Sequence, residues 1–109
     1  MGYMVIRYVK CPTMRVNGLR CPRFYGVAFQ SAEYGMVYPS VRYLVNLGLV
    51  KFGDRFHGRK IKMSAKHFKE FAYLYARDLD AYSPYMGRRF LYKMKPLIES
   101  GDSKEVSWR

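Results

Sequence analysis

The clearest apolar pattern in the chain lies over residues 65–80, where Phe68, Phe71, Ala72, Tyr75, Ala76 and Leu79 recur at steps of three and four. Lys66, Lys69, Glu70, Arg77 and Asp78 fall off that stripe. This spacing predicts an amphipathic helix, and Ser64 stands where an N-cap belongs. Ser83-Pro84 predicts a second helix start, with Ser as cap and Pro in the first turn. Met86, Phe90 and Met94 then face inward until Pro96 ends the helix. A shorter helix opens at Pro39-Ser40, with Ser40 as cap. It carries Val41, Leu44, Val45 and Leu47 on one face and stops at Gly48. Residues 26–35 hold a weaker helical pattern in Val27, Ala28, Ser31 and Ala32, closed by Gly35.

Elsewhere the pattern favours strands. Residues 3–10 are rich in β-formers. Asn17-Gly18 signals a two-residue type I′ hairpin, which pairs Val16 with Leu19, Arg15 with Arg20 and Met14 with Cys21. Pro12 and Pro22 limit that ribbon, because neither can donate to a ladder. Val50–Phe52 and Arg59–Met63 read as two short strands around a flexible basic tip at residues 53–58. The expected fold is therefore α+β: one small domain over residues 1–98, with short antiparallel hairpins packed on three to four helices. The polar residues 99–109 read as a C-terminal tail, with Trp108 placed to pack back on the body or against a partner.

Composition narrows the class. Half of the 109 residues are apolar and 17% are aromatic, so the chain can bury a core and is not a disordered basic tail. No apolar run approaches the ~20 residues of a spanning helix. The first residues lack the pattern of a secretory signal, so a soluble, cytoplasmic protein is the expectation. The formal charge of +12 changes the picture most. Residues 1–36 hold five basic side chains against one acidic, 37–71 eight against two, and 72–109 seven against five. A small domain with this much like charge repels itself, and its excess answers an acidic partner. Nucleic acid, an anionic membrane face and an acidic protein are the candidates. The 11 tyrosines add flat rings with polar tips, suited to cores, interfaces and base stacking alike.

The basic residues fall into three groups. A capped helix at 40–47, a strand, a basic loop and a second strand follow one another over residues 40–63, and a helix comes next. This order resembles the latter half of a winged helix-turn-helix module, although the first helix is about a turn short of a usual recognition helix. The resemblance implies that Arg42 lies on the groove-entering helix. It places Arg55, His57, Arg59 and Lys60 at the wing, flanked by Lys51 and Lys62. In the second group, Arg15 and Arg20 oppose each other across the Asn17-Gly18 hairpin, a like-charge pair that a phosphate can bridge. Arg88 and Arg89 form the third, near Lys93 and Lys95 and interleaved with Phe90 and Tyr92.

Chemistry beyond charge is sparse. Cys11 and Cys21 sit three residues out of register in the hairpin, which favours two reduced thiols over a disulfide. With His57 and His67 as the only other usual ligands, no zinc-finger spacing is present, and neither a metal nor a cofactor is expected. No acid pairs with either histidine in a catalytic pattern and no Gly-rich phosphate loop occurs. Asp78 and Asp80, two apart, fall on different faces of their helix. The sequence thus points to a non-catalytic nucleic-acid-binding protein, a small DNA-binding regulator if the helix at 40–47 reads bases. The second reading is a basic structural subunit or inhibitor docking on an acidic protein or within a ribonucleoprotein. The first reading requires the cations to gather on one side of the fold.

Overall fold

A computed structural model describes residues 4–10, 14–20, 25–31, 35–37, 39–51, 59–81 and 84–108, with side chains over 14–20, 40–51, 59–81 and 84–108. Along these residues the chain runs β1 (Met4–Lys10), β2 (Met14–Val16), β3 (Leu19–Arg20), β4 (Tyr25–Ser31), β5 (Gly35–Val37) and α1 (Pro39–Asn46). It continues through β6 (Lys60–Met63), α2 (Ala65–Asp80), α3 (Met86–Glu99) and β7 (Lys104–Trp108). The arrangement is α+β. Two antiparallel sheets form, one in the order β1-β4-β5 and one in the order β3-β2-β7-β6.

The most regular sequence pattern becomes the centre of the core. Ser64 caps α2, its side chain accepting from the His67 backbone N–H at 3.2 Å. All six apolar residues of the stripe are buried. Their face meets the inner side of the four-stranded sheet, which supplies Met14, Val16, Ile61, Met63, Val106 and Trp108. Phe71 meets Trp108 edge-on at 6.1 Å, and Tyr75 packs on Phe90 of α3 at 5.1 Å. Each such side chain contributes about 1.5–3 kcal/mol by leaving water. At the far end of α1, the Gly48 N–H donates to Val45 at 2.9 Å and the Leu49 N–H to Leu44 at 3.0 Å. These two bonds close a Schellman turn that Gly48 permits with its φ of +75°.

The hairpin forms in the expected register, Arg15 opposite Arg20 and Val16 opposite Leu19, with Asn17 and Gly18 at φ values of 47° and 84°. Asn17 also extends the ladder to β7. Its N–H donates to the Glu105 carbonyl at 3.0 Å, and its side-chain oxygen accepts from the Glu105 N–H at 2.9 Å.

Several elements differ from expectation. Residues 25–31 are strand β4, paired along its length with β1, and residues 35–37 are strand β5; the helix expected over 26–35 is absent there. The spacing of Val27, Ala28 and Ser31 gives way to the hydrogen bonds offered by a distant strand. Ser40 is not the cap of α1, which begins at Pro39; its buried hydroxyl instead donates to Asp78. Val50 and Lys51 are not in a strand. Helix α3 starts at Met86 rather than at Pro84, after Tyr85 in a left-handed conformation with φ 70°. Asp80 supplies the missing cap, its carboxylate accepting from the Gly87 N–H at 2.8 Å. Pro96 lies inside α3 and does not end it. The carbonyl it leaves without its helical donor is that of Tyr92, a residue on the exposed side of the helix. The polar segment expected as a tail contains β7, which lies between β2 and β6 with Val106 and Trp108 buried. Cys11, Cys21, Ser83 and the tip at residues 53–58 lie outside the described residues.

Candidate nucleic-acid interface

Strand alternation sends every second side chain of the four-stranded sheet away from the core. On β2 that residue is Arg15, on β6 they are Lys60 and Lys62, and on β7 they are Glu105 and Ser107. Register then aligns them. Arg20 pairs with Arg15, Arg15 with Ser107, and Ser107 with Lys60, so one row across four strands reads Arg, Arg, Ser, Lys. The adjacent row sets Lys62 beside Glu105. At ~4.8 Å between strands the row spans about 14 Å, the axial length of roughly four nucleotides at ~3.4 Å each.

The row continues onto α3. The Lys93 ammonium donates to the Arg20 carbonyl, which ties the end of β3 to the helix. Arg89, one turn before Lys93, lies exposed on the same flank. Arg88 lies on the opposite flank, its guanidinium 5.6 Å from the centre of the exposed Tyr85 ring.

Three of the six acidic side chains among the described residues are engaged within the fold. Glu70 accepts from the Tyr43 hydroxyl. The Tyr43 phenol is pushed up to about 12 by burial, then by that hydrogen bond and the Glu70 charge. Asp78 accepts from Ser40; burial raises its carboxyl above the usual range, partly opposed by Arg77 and the Ser40 bond. Asp80 caps α3. Glu105 reaches Lys60 at 3.9 Å across a contact that is 71% and 44% exposed, the kind of pair water and salt weaken to between 0 and about 1 kcal/mol. Lys104, only 2% exposed, donates to Ser100 at 2.6 Å and to the Asp102 carbonyl just beyond α3. There it closes the chain onto the negative end of the helix and takes no part in the surface.

The structure thus brings together Arg15, Arg20, Lys60 and Lys62 from separate sequence groups, with Arg89 and Lys93 at the edge. It does not gather every cation: Arg42 on α1 and Lys66 and Arg77 on α2 are exposed elsewhere. Lys51 is exposed beyond the α1 turn, and Arg59 is half-buried just ahead of β6. Arg55 and His57 lie outside the described residues. Among the described residues β6 pairs with β7 and with no strand at 50–51, so the strand–loop–strand of a wing is not made there. Sequence reasoning missed Tyr73 and Lys69, one turn apart on the exposed side of α2, which wall a groove against α3. The available signal was an aromatic residue off the apolar stripe.

Among the described residues no helix is long and apolar enough to cross a membrane. No protein-family model, no curated protein and no solved structure matches the chain.

Proposed function

We propose that this chain is a non-catalytic nucleic-acid-binding protein that holds the phosphate backbone on the outer face of its four-stranded sheet. The observation that carries the reading is the row Arg20, Arg15, Ser107 and Lys60, three cations and a hydroxyl set side by side by strand register. Arg15, half-buried, and Arg20, exposed, stand opposite each other across the hairpin, where one phosphate can meet both. Arg supplies forked donors for phosphate, and Lys a compact charge beside it. Such contacts position a polyanion without reading its sequence.

The test is binding of labelled single-stranded RNA, single-stranded DNA and duplex DNA by fluorescence anisotropy across a salt series. The proposal expects affinity to fall steeply and linearly in log–log form as salt rises, because each neutralised phosphate releases counterions. Absence of binding to all three at low salt would overturn it.

A further inference from the structure

Helices α2 and α3 enclose an open groove of about 400 Å³ on the side of α3 away from Lys93. Its walls present Lys69 and Tyr73 from α2, and Arg88, Leu91, Tyr92 and Lys95 from α3. The two tyrosines are 53% and 82% exposed, although a folded chain usually keeps large rings covered. The floor is apolar and the rim carries three cations against one acid, Glu99. Among the described residues no acidic side chain forms a salt bridge with Lys69, Arg88 or Lys95. The volume lies within the ~300–1,000 Å³ typical of small-ligand sites.

We infer that this groove is a stacking site for an unpaired base of a single-stranded nucleic acid, with Tyr73 and Tyr92 against the ring and Lys69, Arg88 and Lys95 around the phosphates. The inference rests on the proposed nucleic-acid binding and adds the strand state that is recognised. A flat apolar ring joined to an anion is the ligand whose two halves match this lining. Aromatic faces accept any base, so the site favours unpaired strands over duplex without selecting sequence. Arg88 is already drawn over the Tyr85 ring at 5.6 Å, which holds one cation at the groove mouth before a ligand arrives. Lys93, which is not among the groove residues, ties α3 to the Arg20 carbonyl at the sheet edge, so α3 lies between the groove and that edge.

The experiment compares three probes on the intact chain: a twelve-nucleotide thymidine strand, an abasic strand of equal length and charge, and a duplex. Wild type should bind the thymidine strand more tightly than the abasic one. Y73A/Y92A should lose about 5- to 150-fold on the thymidine strand, the range expected for one stacked base, and change little on the abasic strand. Y73F/Y92F should retain the affinity, since stacking needs the ring and not the hydroxyl. Unchanged thermal melting of each variant establishes that the fold is intact, as both side chains are exposed. Equal wild-type affinity for the thymidine and abasic strands overturns the groove and leaves the sheet reading standing. Loss of binding to all three probes in wild type overturns the sheet reading itself. Displacement of the thymidine strand by a polyglutamate peptide, abolished in Y73A/Y92A, would assign the groove to acidic protein instead.

Discussion

Changing Gly87 to Ala should destabilise this protein, although Ala is the better helix former. Propensity alone favours the substitution by about 1 kcal/mol. The packing opposes it. A Cβ at position 87 would lie 2.1 Å from the Ala76 carbonyl oxygen and 2.8 Å from both the Ala76 carbonyl carbon and Asp80 Cγ. Ordinary contact needs more than 3 Å, and the Ala76 carbonyl belongs to the α2 backbone, which cannot swing aside. Helix α3 must therefore retreat by about 1 Å. That movement stretches the 2.8 Å bond from the Gly87 N–H to Asp80 and loosens Phe90 and Met94, both fully buried. Overpacking costs about 1–3 kcal/mol, and losing the cap adds about 1. After the propensity gain, which about cancels the loss of the cap, the expected loss is about 1–3 kcal/mol, or roughly 4–15 °C in Tm for a domain of this size. Urea denaturation followed by circular dichroism, with G87A beside wild type, measures it. A G87A midpoint equal to or above wild type would refute the close approach of the two helices.

Three further outcomes are expected. Trp108→Ala removes a ring buried against Phe71 and should cost about 3–5 kcal/mol in the same denaturation assay; a cost near zero would return the C-terminal segment to the role of a tail. Asn17→Ala should cost about 1–3 kcal/mol, because it loses both a residue tolerant of positive φ and the acceptor for the Glu105 N–H, whereas Asn17→Gly should cost less by keeping the backbone conformation. The folded Asp78 carboxyl holds its proton to a higher pH than in the unfolded chain, so it weakens the fold as pH rises from the usual carboxylate range through its own raised value. D78N should therefore be more stable than wild type at neutral pH, with the gain vanishing in acid; a D78N loss that persists at all pH values would contradict this.

The elements legible in the sequence are those whose signals are local. The α2 stripe needs only its own spacing, and the Asn17-Gly18 turn fixes its register through backbone geometry, which is why the turn alone sets Arg15 opposite Arg20. The misread elements depend on distant partners. Strand β4 carries a helical spacing, and its pairing with β1 on one side and β5 on the other decides the matter. Strand β7 hides its alternation because Lys104, one of its three inward residues, is a lysine whose ammonium finds oxygen acceptors beyond α3. Helix α3 passes Pro96 because the bond it forfeits faces solvent. The same distinction governs the candidate surface. The individual cations were visible in the sequence, but the row Arg20, Arg15, Ser107, Lys60 exists only because β7 inserts between β2 and β6.

The sheet face is tested most directly by the salt dependence of binding in a variant that removes its exposed cations, R20Q/K60Q/K62Q. If these side chains neutralise phosphates of a single strand, the slope of log K against log salt should become shallower by about 0.7 for each, or roughly 2 in total. Affinity at low salt should fall while the melting temperature holds. A variant with the wild-type slope and affinity would show that the polyanion lies somewhere else on the molecule.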